Sequence, residues 1–267
     1  MKSCLNEATV MYAPLEADVR GSAKAGFAGI ELWWAKVDRY LQAHSVDSLR
    51  RLIDENGVAV ASLCPFRIWP FRDSEPAREE FKTAIELAPR IGCRLLVVCG
   101  DYQPARLTRP EAMGALAAEL SRMAELAKEA GLSLAVEAIG MHTLVRGPAE
   151  ALELIGLSGN PANVGVAMDT FHYFRSQVSD REILRTPVER LLMVHINDSE
   201  DGAINELSDS NRVYPGRGVL PLRHYLELLN KLGYEGYLSV ELFNPAYWKD
   251  DPQEVLATSF SSLKNYL

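Results

Sequence analysis

The sequence predicts a single (β/α)₈ TIM barrel spanning residues 1–267, and three observations predict it. Apolar strand-like runs alternate with helical patterns from end to end, the pattern of a parallel sheet built from strand–helix units. Eight such pairs fill 267 residues, which is the count and the length of this barrel. Four successive runs late in the chain each end in an acid or a histidine, and barrel sites lie at the carboxyl ends of the strands.

Ser3 to Val10 reads as the first strand, followed by a short helix Ala17–Ala25 stopped by Gly26. Phe27 to Trp34 (FAGIELWW) is the second strand. Ser45 caps a helix running to Asn56, with Gly57 as its left-handed stop, and Val58–Leu63 is the third strand. Cys64 to Ser74 reads as a long loop, rich in aromatics and proline, that walls or covers a site. A helix from Glu75 to about Ile91 leads to strand four, Leu95–Cys99. Thr108 and Glu111 form a capping box for the longest helix, which ends at Gly131. Strand five, Leu132–Val136, ends at Glu137. A helix Pro148–Leu157 precedes strand six, Val164–Met168, which ends at Asp169 with His172 three residues on. A weaker helix, Arg181–Arg190, is expected around Pro187. Strand seven, Leu191–Ile196, carries His195. Asn197 to Gly218 is a polar loop, Pro221–Leu232 a helix stopped by Gly233, Tyr237–Leu242 strand eight with Glu241 near its end, and Pro252–Leu267 the closing helix.

Composition narrows the function. A net charge of −8 and an acidic pI near 5.3 argue against a nucleic-acid surface. No apolar run is long enough to span a bilayer, and the start MKSCLNEATV lacks the apolar core of a signal peptide. Cys4, Cys64, Cys93 and Cys99 lack CxxC spacing and read as buried thiols of a reducing compartment, so a cytoplasmic location is expected.

Three carboxylates and an imidazole at neighbouring strand ends repel or compete unless a cation joins them. Oxygen-rich ligands with one histidine suit one divalent ion, Mn²⁺ first, with Mg²⁺, Co²⁺ or Zn²⁺ as alternatives. Any single member of Glu137, Asp169, His195 and Glu241 has an ordinary reading as a helix cap, an ion-pair partner or a core histidine. Four on consecutive strands favour a metal site. His172 is a substrate donor or holds a ligand in place, and His142, after strand five, reaches the site or is solvated. Arg212, in NRVYPGRG, forks onto substrate oxygens or pairs with Asp209 or Asp198. Of Trp33 and Trp34 only one can face the barrel mouth, where Trp33 would offer a flat apolar face to a sugar or cyclitol. Glu31, Asn6 and Glu7 are site acids and amides or part of a polar interior.

The segments VEAIG, MDTFHYF, VHINDSE, NRVYPGRG and SVELFNPAYW resemble the xylose-isomerase-like sugar isomerase and epimerase barrels over essentially the whole chain. CLNEAT and VELFNPAYW are most similar to the inosose (2-keto-myo-inositol) isomerase branch, in inositol catabolism. The resemblance implies that Glu137, Asp169, His195 and Glu241 hold a divalent metal, and that Glu137 and Glu241 form the acid/base pair. It implies that His172 and Arg212 contact substrate and that the partner is a small polyol or keto-sugar. Homo-oligomers are common in such a family. The activity implied is isomerisation of a polyhydroxy ketone through an enediolate. A ketose 3-epimerase, an inosose dehydratase and a non-catalytic sugar-binding barrel or complex subunit are the rivals. Arg217 and the loop CPFRIWPFRDSE depart from the inosose isomerase pattern.

Overall fold

A computed structural model describes residues 1–267. Eight parallel strands close into a barrel: β1 (Lys2–Asn6), β2 (Gly29–Trp33), β3 (Ala59–Arg67), β4 (Leu95–Cys99), β5 (Ser133–Glu137), β6 (Val164–Asp169), β7 (Leu191–Ile196) and β8 (Tyr237–Val240). Each strand pairs with its sequence neighbours, and β1 closes on β8. The helices between them form the outer layer: α1 (Leu15–Ala25), α2 (Trp34–Leu41), α3 (Val46–Asn56), α4 (Glu75–Leu87), α5 (Arg109–Glu129), α6 (Pro148–Leu157), α7 (Thr170–Arg175), α8 (Asp180–Leu184), α9 (Leu222–Leu232) and α10 (Pro252–Leu263). None is long and apolar enough to cross a membrane.

The strand period of two decides what enters the barrel. Leu134, Val136, Val164, Val166, Val194, Leu238 and Val240 face outward into the large core shared with the helices. Cys4, Ala61, Cys64, Val97, Ala135, Ala167 and Met193 face inward and form a separate small cluster. Two residues beyond an inward Ala135, Ala167, Met193 or Ser239 come Glu137, Asp169, His195 and Glu241. The same alternation that fills the barrel with small side chains therefore aims the four polar ones at its axis.

Several boundaries differ from the sequence reading for local reasons. The first strand stops at Asn6, whose side chain accepts the Ala8 N–H and opens a 3₁₀ turn over Glu7–Val10. β2 ends at Trp33 because Trp34 begins α2, a helix the aromatic pair had hidden. β3 runs on to Arg67, so the first four residues of the expected loop are strand. Asp169 caps α7, which starts inside DTFHYF. The helix expected over Arg181–Arg190 is the short α8 and, after Pro187, a 3₁₀ turn. The capping box at Thr108 and Glu111 is present, and the four cysteines are free and buried.

Candidate metal centre

Glu137, Asp169, His195 and Glu241 each offer a ligand atom, and these atoms lie within 4.8 Å of one another. Register brings them together: Asp169 pairs with His195 across β6 and β7, and Glu137 pairs with Ala167. His195 Nδ1 lies 3.0 Å from Glu137, 3.4 Å from Glu241 and 4.0 Å from Asp169. Its Nε2 points the other way, 3.1 Å from Glu31. A metal-bound histidine almost always gives its second N–H to a carboxylate or a carbonyl. With an ion bound, Glu31 would fill that role and hold the proton on Nε2, and it is itself held by Ser62 at 2.6 Å. The donor set and the orientation of the ring both fit a divalent ion.

The electrostatics are those of a buried charge cluster. Burial alone would lower the His195 pKa, but Glu241, Glu31 and Glu137 outweigh it and hold the imidazole well above its ordinary range. Burial would raise Asp169, yet Arg212 and the two histidines bring it down to about 2. Burial raises Glu241, and the neighbouring Glu137 adds to the rise against His195 and Arg212. Asn6 donates to Glu241 at 3.0 Å and to Glu31 at 3.2 Å, tying β1 to both. Asn197 donates to Asp169 at 2.9 Å. Glu7 accepts the backbone N–H of Trp33 at 2.6 Å and so steadies the end of β2.

Arg212 is buried, with 1 % exposure, and its guanidinium is spent on the protein. Nη1 donates to Asp169 and Glu241, both at 2.8 Å, and Nη2 to Asp209 at 2.7 Å. Nη2 also donates to His172 Nε2 at 3.0 Å, which leaves the His172 proton on Nδ1. Phe171 and Phe243 cover the guanidinium at 5.1 and 5.3 Å. Of the two ordinary partners considered, Asp209 is the one it meets. Asp198 instead accepts the N–H groups of Gly216 at 3.0 Å and Leu220 at 2.8 Å and so folds the Pro-Gly-Arg-Gly turn. A Cβ on Gly218 would stand 2.1 Å from the Ser199 carbonyl, so that turn needs glycine.

Above the cluster opens a cavity of about 270 Å³, lined by all the expected site residues except Asp169, which lies beneath. Trp33, His142, His172 and Arg212 are all on its wall. Trp34 is buried in the core, so only Trp33 of the pair reaches the cavity, but because Trp34 begins α2 rather than by strand alternation. Burial, His172 and Arg67 lower the His142 pKa to about 4, and its ring lies 4.2 Å from Tyr102. Cys64, Pro65 and Arg67 from the end of β3 complete the wall, and Arg67 also borders a neighbouring cavity that Trp69 lines. The sequence left the roles of Glu31 and Asn6 open because neither the strand ends nor the spacing distinguishes a site acid from a polar interior.

Known proteins share this architecture. The xylose isomerase-like TIM barrel family matches residues 19–266. The inosose isomerase of Halalkalibacterium halodurans is 29% identical over 97% of this chain and 94% of its own length. The 3-dehydroshikimate dehydratase of Pseudomonas aeruginosa is 29% identical over 84% of this chain, but only 35% of that protein is covered. The crystal structure of the IOLI protein with a binding zinc atom superposes with a TM-score of 0.93 at 27% identity, covering 100% of this chain and 98% of that one.

Proposed function

This chain belongs to the xylose isomerase-like TIM barrel family, and from that membership we propose that it is a divalent-metal-dependent isomerase of a polyhydroxy ketone, with inosose as the parent substrate. The observation that carries the reading is the convergence of Glu137, Asp169, His195 Nδ1 and Glu241 within 4.8 Å beneath a small cavity. These four would hold the ion. Zn²⁺ has support from the IOLI protein, and Mn²⁺ suits the oxygen-rich donor set. Bound there, the ion would supply Lewis-acid polarisation of a carbonyl and charge neutralisation among the carboxylates.

The chain's own residues account for the proton chemistry. Glu137 and Glu241 come from the two strand ends that flank β6 and β7, at β5 and just beyond β8, and both face His195 Nδ1, so a ring carbon bound over that nitrogen lies within reach of two carboxylates. One removes the proton from the hydroxyl-bearing carbon beside the carbonyl, the other returns a proton to the former carbonyl carbon, and the hydroxyl proton passes to the former carbonyl oxygen, with solvent exchange restoring both carboxyl groups. Arg212, backed by His172, holds Glu241 at the cavity wall and Asp169 beneath it, and the positive charge of Arg212 stabilises an enediolate oxygen nearby. Trp33 offers its apolar face to the carbon skeleton.

Turnover of inosose by the zinc- or manganese-loaded protein in D₂O tests this. The expected product carries deuterium on the carbon beside the carbonyl, and EDTA abolishes the reaction. Full activity in metal-stripped protein, or product without deuterium at equilibrium, overturns it. A 3-epimerase would return an inverted centre at the same carbon, and a dehydratase would release water, so product identification separates the rivals.

A further inference from the structure

Two guanidinium groups line the cavity, and they are in opposite conditions. Arg212 has carboxylate and imidazole partners for its donors. Arg67, half-buried at the end of β3, makes no side-chain hydrogen bond or ion pair within the chain; its guanidinium rests over Trp69 at 5.9 Å. The acid that opens the neighbouring loop after β4, Asp101, is taken by Arg72 through both oxygens. Arg72 stacks on the same Trp69 at 4.7 Å. Trp69 therefore carries two guanidiniums, one neutralised and one not. The carboxylates across the cavity are committed as well, Glu137 and Glu241 to His195 and Asp209 to Arg212.

Register fixes the distance. Arg67 pairs with Cys99, and Cys99 pairs with Glu137, so Arg67 and the proton-transfer acid share one rung of the barrel. Two strand spacings separate their backbones, roughly 10 Å along the sheet. That span accommodates a small ligand with its reacting carbon at Glu137 and its far end at Arg67. A partly desolvated guanidinium without an acid is costly unless a ligand supplies one, and its planar fork matches a carboxylate. A neutral polyol would leave the charge uncompensated.

We propose that Arg67 anchors a carboxylate on the substrate, so that the preferred ligand is an acidic polyhydroxy ketone, with neutral cyclitols bound more weakly. The inference rests on the isomerase reading for the reacting end of the ligand and adds the chemistry of its other end.

Calorimetric titration of the zinc-loaded full chain with D-fructuronate and with D-fructose tests it, since the two ketoses differ in a C6 carboxylate against a hydroxymethyl. Fructuronate is expected to bind roughly 10- to 100-fold more tightly, the worth of a charge-assisted pair. Arg67→Gln brings fructuronate down to the level of fructose, and Arg67→Lys keeps part of the preference. Equal binding of the two ketoses by the unaltered chain, a preference that survives Arg67→Gln, or tighter binding of D-fructose 6-phosphate than of fructuronate overturns the proposal. The unaltered chain's own preference decides even if a variant fails to fold. Deuterium exchange is read separately. Arg67-dependent binding without exchange into any ketose sinks the isomerase and leaves the anchor standing; exchange without an acid preference does the reverse.

Discussion

Glu31 lies 3.1 Å from Nε2 of His195, on the opposite side of the ring from the three carboxylates that face Nδ1. The pair joins β2 to β7 through the barrel axis and makes His195 a one-sided ligand. Glu31→Gln preserves the shape but weakens the acceptor that fixes the tautomer. Zinc affinity, measured by competition with a chelator, is expected to fall roughly 10- to 100-fold with little change in the fold. An unchanged affinity would show that Glu31 only fills space.

Arg212→Ala removes the shared partner of Asp169, Glu241 and Asp209, two of them buried carboxylates. Breaking a buried pair costs about 3–5 kcal/mol, against at most about 1 kcal/mol for an exposed one. Chemical denaturation of the metal-free variant is expected to show a loss in the upper range. Arg212→Lys recovers part of the stability but cannot reach all of the partners of the fork. A loss below about 1 kcal/mol would place Arg212 outside the network.

Glu137→Gln and Glu241→Gln each keep an oxygen for the ion but cannot take up a proton. Each is expected to cut kcat by about 10²–10⁴-fold, with a smaller effect on metal stoichiometry. If only one variant loses activity, a single-base mechanism replaces the two-acid shuttle.

His142 supplies a pH dependence of known sign. Its folded pKa is lowered to about 4 by burial and by the neighbouring His172 and Arg67, below the ordinary histidine value near 6.5. The unfolded chain therefore binds the proton first, and stability falls as pH drops from about 6.5 towards 4. At neutral pH the residue contributes no such slope. Urea midpoints across this window are expected to flatten in His142→Gln, and the imidazole resonance should titrate near the lower end. Titration at 6.5 would refute the shift.

How much of this was legible follows from where the signal resides. The quartet Glu137, Asp169, His195 and Glu241 could be read because each ends an apolar run, and strand ends meet at one face of a barrel. The extra helix at Trp34 was hidden because WW looks like more strand, and α7 because Asp169 serves both as a strand end and as a helix cap. The partners of Arg212 could not be read at all. Asp169 precedes it by 43 residues and Glu241 follows by 29, and only barrel closure brings them to one guanidinium. The Glu31–His195 contact spans 164 residues, and sequence alone does not rank Glu31 above Glu7 as the acid that would reach it.

Asp169 holds the start of α7 through one oxygen, at 2.8 Å from the His172 N–H, while its other oxygen meets Arg212 and Asn197. That double duty restricts how descendants of this chain can diverge. Drift toward a different ion must change donor atoms, yet a replacement at position 169 that is not itself an N-cap residue, such as His or Cys, also unpins a helix that carries His172. Glu137, His195 and Glu241 cap no helix. At position 169 retuning of the centre is therefore bound by helix capping as well as by ligation, a constraint the other three ligands do not share.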